Sequence, residues 1–374
     1  MRSTLTPVFR SALLAACVAV CASARVQLPA LLSDNMLLQR DTPIRIWGKA
    51  DPGEAVAVEF RGETARTTAD DIGRWSVFLS PAAAGGPYEM TIRGSNTITL
   101  RNILVGEVWV ASGQSNMAWT VKASNNASEE IRAANYPKIR LFRVALKASD
   151  VPLDDVTGTW KECSPDTVGD FSAVGYYFAR HLHQKLNVPV GVIQSAWGGT
   201  PADAWTSLGA LASDPALTPA FSDWARMLAS YPQAMARHAI ALKKWEEEAA
   251  KAKAEGREPR PRPGAPIGPG SHWMPGGLFN AMIAPLTPYA IRGAIWYQGE
   301  SNTSPTRAPI YARLFQTMIR DWRKAWGQGD FPFLFVQLAN FGKTAPGSQW
   351  PEVREAQLDT LSLAKTGMAV TIDI

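Results

Sequence analysis

Two rhythms of apolar and polar positions divide the chain. Between residue 25 and about 102, short runs alternate or cluster β-branched and aromatic residues: Pro43–Trp47, Glu54–Phe60, Trp75–Leu79, Tyr88–Arg93 and Thr97–Leu100. Turn formers separate them at Asp51-Pro52-Gly53, Asp71-Ile72-Gly73, Gly85-Gly86-Pro87 and Gly94-Ser95-Asn96. Short strands at this spacing predict a small β-sandwich module over 25–102. From 103 onward the apolar runs become nearly continuous: Ile103–Ala111, Val190–Gln194, Ala290–Tyr297, Phe333–Leu338 and Met368–Ile372. Helical patterns such as Val174–Leu186 and Tyr311–Trp326 fall between them. Strands buried on both faces and alternating with helices predict an α/β domain over 103–374, built on a doubly wound, parallel five-stranded sheet. Ligands of such sheets bind beyond the carboxyl ends of the strands.

Residues 209–280 interrupt this second rhythm. Ala234–Ala254 reads as an exposed helix carrying Lys243-Lys244-Trp245-Glu246-Glu247-Glu248, and 259–270 is a loop rich in Pro and Gly. A solvated helix and a lid or linker are the expectation. No internal repeat is visible.

The first 24 residues follow another logic. Arg2 and Arg10 precede and flank a short apolar stretch, Ser11–Cys21, and Ala22-Ser23-Ala24 offers small residues for cleavage. This order predicts a secretory signal peptide and an exported protein, periplasmic or extracellular. Leu14-Ala15-Ala16-Cys17 also resembles a lipobox, which keeps a lipoprotein as the minor alternative. Without Cys17 and Cys21 only Cys163 remains, so neither an intramolecular disulfide nor a cysteine-based metal site is expected, and Cys163 reads as a small core filler. No later run of 18 apolar residues predicts a membrane span.

Composition narrows the class. The chain has 374 residues, 46% hydrophobic, with 14 Trp. This argues against disorder and for a large core. Its 38 Lys and Arg against 33 Asp and Glu leave a net charge of +5, or +3 once Arg2 and Arg10 are set aside. That weak, dispersed excess does not indicate nucleic-acid binding.

The chemistry gathers at three strand ends. Ala111-Ser112-Gly113-Gln114-Ser115-Asn116-Met117 follows the first long strand, where small residues allow a sharp turn into a helix. Ser115 would stand above the sheet near the N–H groups of the helix start, as a nucleophile does, although the second Gly of G-x-S-x-G is missing. Helix capping is the plainer reading of Ser115. Gln194-Ser195-Ala196-Trp197-Gly198-Gly199-Thr200 follows the second strand, and its paired glycines allow close backbone approach with N–H donors. Trp296-Tyr297-Gln298-Gly299-Glu300-Ser301-Asn302 follows the third with an amide and a carboxylate. Three such clusters converging on one crevice favour acyl transfer.

These blocks resemble those of bacterial sialate O-acetylesterase-like proteins, of the serine-hydrolase superfamily called SGNH for its Ser, Gly, Asn and His. Leu32-Ser33-Asp34-Asn35-Met36-Leu37-Leu38-Gln39-Arg40, Ala50-Asp51-Pro52-Gly53-Glu54 and Met282-Ile283-Ala284-Pro285-Leu286 extend the resemblance over nearly the whole chain after residue 24. It implies a flavodoxin-like hydrolase domain that removes O-acetyl groups from carbohydrates, with no metal or organic cofactor. By the same resemblance Ser115 is the nucleophile. The N–H groups of Ser115 and of Gly198 or Gly199 form the oxyanion hole. Gln298 takes the block position that holds Asn in other branches and by that resemblance joins the oxyanion hole. Asn116, Trp197 and Glu300 are candidates for shaping the site or touching the sugar.

A serine also needs a base. The resemblance places a His in an Asp-Ile-His-Pro type segment after the last strand. His181 and His183 precede the second strand, His238 sits in the insertion, and His272 reaches the site only if its loop folds over it. The sequence ends at Thr371-Ile372-Asp373-Ile374, which reads as the last strand, so a chain truncated before that segment is the expectation, and Asp373 is not the triad acid. Three functions are weighed: a carbohydrate O-acetylesterase, sialate-directed or of acetylxylan type; a carbohydrate-binding pseudoenzyme without its base; and a lipase or peptidase on the same fold.

Overall fold

A computed structural model describes residues 25–341 and 349–372. Residues 1–24, where a signal peptide is expected, and Asp373 lie outside the described residues. The strands, in chain order, are β1 (Leu37–Gln39), β2 (Ile44–Lys49), β3 (Ala55–Phe60), β4 (Glu63–Thr68), β5 (Arg74–Leu79), β6 (Gly85–Arg93), β7 (Thr97–Gly113), β8 (Tyr136–Arg143), β9 (Trp160–Cys163), β10 (Val190–Ala196), β11 (Gly293–Tyr297), β12 (Phe333–Val336) and β13 (Thr366–Ala369). The long helices are α1 (Ala173–Leu186), α2 (Thr218–Ala254), α3 (Tyr311–Trp326) and α4 (Trp350–Asp359). None of the described helices is long and apolar enough to cross a membrane.

The central sheet runs β13-β12-β11-β7-β10-β8-β9. Every neighbouring pair is parallel except β8 with β9. The expectation of five strands is therefore corrected: six strands run parallel and β9 adds an antiparallel edge. The additional β8 begins Tyr136-Pro137-Lys138 and carries Arg140, so its polar start hides a buried end. Arg140 itself is buried, held by Asn102 Oδ1 at 3.0 Å and the Pro137 carbonyl at 3.1 Å.

β7 explains how the two rhythms meet. Thr97–Leu100 pairs antiparallel with β6, with partly exposed residues. Ile103–Gly113 is buried at every position, as a central parallel strand covered on both faces must be. Asn102, at φ 58°, marks the change. The boundary expected at 102 thus falls inside one strand. In the N-terminal module, β4, β3, β6 and β7 form one antiparallel layer, β1 lies parallel beside β7, and β2–β5 is a separate ribbon. Both layers share an apolar cluster that continues into the α/β half, from Ile46, Val58 and Ile92 to Trp205 and Trp296. β4 lies outside the expected strands because its Thr, Arg and Glu side chains give no apolar signal. Gly85-Gly86-Pro87, expected as a turn, opens β6 as an irregular stretch.

Helix α3 shows the packing logic. Tyr311, Leu314, Phe315, Met318, Ile319 and Trp322 recur at three- and four-residue intervals and are all buried. Each such side chain contributes on the order of 1.5–3 kcal/mol by leaving water. Helix α2 is the opposite case: 37 residues of which only Ala220, Asp223, Ala249 and Ala252 are buried. It starts 16 residues before the expected Ala234, because the pattern ahead of Pro232 continues as helix.

Candidate active site

The ends of β7, β10 and β11 converge. Gly113 sits at φ 133°, and a Cβ there would stand 2.2 Å from the Tyr297 carbonyl oxygen, so only glycine lets β7 turn beside β11. Gln114 N–H donates to that carbonyl at 2.9 Å. The buried Gln114 side chain accepts from the N–H groups of Gly299 (3.3 Å) and Ser301 (3.4 Å). The first block is thereby locked to the third.

Ser115 opens a short helix, Ser115–Ala118, and is exposed. Its hydroxyl makes no hydrogen bond among the described residues. The first N–H groups of a helix lack intrahelical acceptors and point outward. Gly198 lies directly alongside: a Cβ on it would be 3.5 Å from Ser115 Cβ and 3.9 Å from Ser115 N. Trp197 N–H, donating to the Gly113 carbonyl at 3.1 Å, fixes this approach. The N–H groups of Gly198 and Gly199 have no acceptor among the described residues, and Gly199 holds a left-handed φ of 74°. Free donors beside a free hydroxyl are the elements of acyl-transfer chemistry.

Gln298 is a correction. It is fully buried and its amide donates to the Thr200 carbonyl (3.1 Å) and Asn302 Oδ1 (2.6 Å). Its Oε1 accepts from Tyr311 Oη at 2.9 Å, and its carbonyl from Gln357 Nε2 at 3.0 Å. Both donors are committed inside the fold, so Gln298 ties β10, β11, α3 and α4 together rather than facing an oxyanion. Thr200 Oγ1 in turn donates to the Trp197 carbonyl at 2.8 Å.

Asn116 Nδ2 donates to Glu300 Oε1 at 2.7 Å. Burial pushes the Glu300 carboxyl above its ordinary range, and its other oxygen is buried without a partner among the described residues. Beside this pair opens a pocket of about 550 Å³ walled by Trp119, Tyr177 and Tyr297. Sequence reasoning missed Trp119 and Tyr177. The one signal for Trp119 is its place just after the first block; Tyr177 is one aromatic among several on its helix and carries none.

Among the histidines, His181 is exposed, His183 Nδ1 sits 2.7 Å from the Val188 carbonyl oxygen, and His238 lies on α2. His272 does fold over the site's rim. Its ring stacks on Trp197, centroids 5.0 Å apart. A buried ion cluster anchors the inserted segment there. Arg307 bonds Asp203 Oδ1 at 2.6 Å and Asp223 of α2 at 3.3 Å, and Trp273 covers its guanidinium at 5.2 Å. No described histidine is bonded to Ser115.

Comparison with known proteins decides the family. The model of "Carbohydrate esterase, sialic acid-specific acetylesterase" matches residues 105–251 and 264–374. The chain belongs to this family. Among the family's relatives, sialate O-acetylesterase of Mus musculus is 32% identical, with 92% of this chain and 67% of that protein covered. The Homo sapiens protein is 29% identical, with 92% and 64% covered. The chain thus spans about two thirds of the length of these esterases. A carbohydrate acetylesterase from Xanthomonas citri superposes with a TM-score of 0.76 at 36% identity, covering 93% of this chain and 69% of that one.

Proposed function

We propose that the protein hydrolyses O-acetyl esters on carbohydrates, with Ser115 as nucleophile. The observation that carries this reading is the exposed Ser115 hydroxyl set against the Gly198 backbone, at strand ends shared with an esterase family. Ser115 Oγ attacks the acetyl carbonyl and yields its proton to a base. The N–H groups of Ser115, Gly198 and Gly199 receive the developing oxyanion. The sugar hydroxyl leaves with a proton, and water then releases acetate from the acetyl-serine. The pocket walled by Trp119, Tyr177 and Tyr297 suits a sugar, whose C–H face packs on aromatic rings. Sialate O-acetyl esters are the first substrate class to test, with acetylated xylan the alternative. We also read the first 24 residues as an export signal, which places the reaction in the periplasm or outside the cell.

The test is acetate release from O-acetylated sialic acid and acetylated xylan, measured side by side on the protein and on Ser115→Ala. Turnover that falls about 10³-fold or more with the substitution supports the reading. Binding without turnover in both proteins would replace it with a carbohydrate-binding one. Faster cleavage of long-chain esters would move it to a lipase.

A further inference from the structure

We infer that the cleft between the β2–β5 ribbon and the hydrolase half is a second saccharide site, shaped for a glycan that carries a carboxylate. The cleft encloses about 560 Å³, within the range of small-molecule sites. One wall is the outer face of the ribbon; the other is formed by Leu153–Asp155 and the turn from Ala284 to Pro288. Pro288 precedes β11, whose far end leads to Gln298 and the serine. The cleft therefore opens at the opposite end of the sheet from Ser115.

The ribbon places the recognising groups. Arg45, Trp47 and Lys49 alternate along β2 and so share one face, opposite Phe78, Ser76 and Arg74 of β5. Trp47 is half-buried and held edge-on by Tyr289, centroids 6.2 Å apart at 72°. On the opposite face of β2, a Cβ on Gly48 would stand 2.2 Å from the Gln27 carbonyl and 2.9 Å from the Trp75 ring, so only glycine lets the Gln27 backbone and Trp75 pack this closely behind the cleft. Trp75 is only 4% exposed and its indole N–H has no partner among the described residues.

The charges then select the ligand. Lys49 and Arg74 both engage Asp154, at 3.0 and 3.6 Å. Asp70 accepts the backbone N–H groups of Ile72 and Arg74, and Asp155 those of Ala30 and Val156. Each acidic group of the cleft thus has donors of its own, while Asp70 and Asp155 keep their charge. Arg45 forms no ion pair among the described residues; it lies 5.8 Å over the exposed Phe78 ring and its Nε is buried without an acceptor. A spare guanidinium beside an aromatic wall fits a pyranose bearing a carboxylate, whether a hexuronate or a nonulosonate.

The experiment is calorimetric titration of the full chain with unacetylated disaccharides: one ending in a hexuronate, its methyl ester, one ending in a nonulosonate, and a neutral one. The expected result is binding of at least one carboxylated sugar, abolished by Trp47→Ala and weakened about tenfold by Arg45→Gln, with the ester indifferent to Arg45→Gln. Thermal melts confirm that each variant is folded, and Arg45→Gln, at the surface, carries the test if Trp47→Ala is not. Binding by none of the sugars, binding insensitive to both substitutions, or binding lost in Ser115→Ala would overturn the proposal. Acetate release by Arg45→Gln is expected to match that of the unsubstituted protein, so a failure of the esterase reading shows separately.

Discussion

His272 lies nearly parallel to Trp197, with 18° between the ring planes and centroids 5.0 Å apart. The contact joins the end of a long insertion to the residue immediately before Gly198, and so to the backbone that flanks Ser115. Burial holds the His272 imidazole below its ordinary value of 6.5, so the ring packs in its neutral form. The unfolded chain takes up this proton first as pH falls, so the stabilisation is present above 6.5 and is lost as pH drops through the folded value. His272→Phe keeps a flat ring over Trp197 and removes the titration. Melting temperatures below pH 6.5 are expected to decline less steeply in the variant; an unchanged slope would show that His272 does not titrate with folding.

Glu300 titrates with the opposite sign. Burial raises its carboxyl above 4.5, opposed by N–H bonds from the backbone and by Asn116. The folded state then binds the proton more tightly than the unfolded chain, and stability falls as pH rises through the folded value. Glu300→Gln retains an oxygen for Asn116 Nδ2 and removes the buried charge. Thermal melts taken from pH 4.5 upward are expected to show a flatter profile and a variant at least as stable at neutral pH. A variant that loses stability at neutral pH would mean the ionised carboxylate is favoured in place.

Gln298 is expected to matter for the fold rather than for the oxyanion. Gln298→Ala leaves Tyr311 Oη without its amide acceptor, takes a donor from Thr200 and Asn302, and opens a cavity. A loss of about 3 kcal/mol or more in a denaturant titration is the expected scale. A stable variant with sharply reduced turnover would restore Gln298 to the oxyanion hole.

Cys163 is buried on β9, and burial, with Glu130 nearby, pushes its thiol up to about 12. It should resist an aromatic disulfide reagent at about pH 8 in the folded protein and react at once in denaturant. Rapid labelling of the native protein would contradict its place as a core filler.

Much of this site is legible in the amino-acid sequence. Gly113, Ser115, Gly198 and Gly199 announce themselves because sharp turns after buried strands restrict residue type, and helix α3 shows its apolar stripe with the observed bounds. The strands are legible where they are apolar, and β4 and β8 are not, since Thr67 and Arg140 say nothing locally about which neighbours will satisfy them. The sequence alone determined the α/β rhythm, the three polar blocks and the family they resemble, because these depend on backbone sterics and on side-chain periodicity within a few residues. Tertiary structure decided what Gln298 bonds, that His272 reaches Trp197, and that Arg45 meets no carboxylate among the described residues. Such outcomes depend mostly on groups far apart in the chain, as with Gln298 and Thr200 at 98 positions, and the Arg307–Asp203 pair spans 104. The affinity of a polar group for a partner is general, and only the fold chooses which partner it meets.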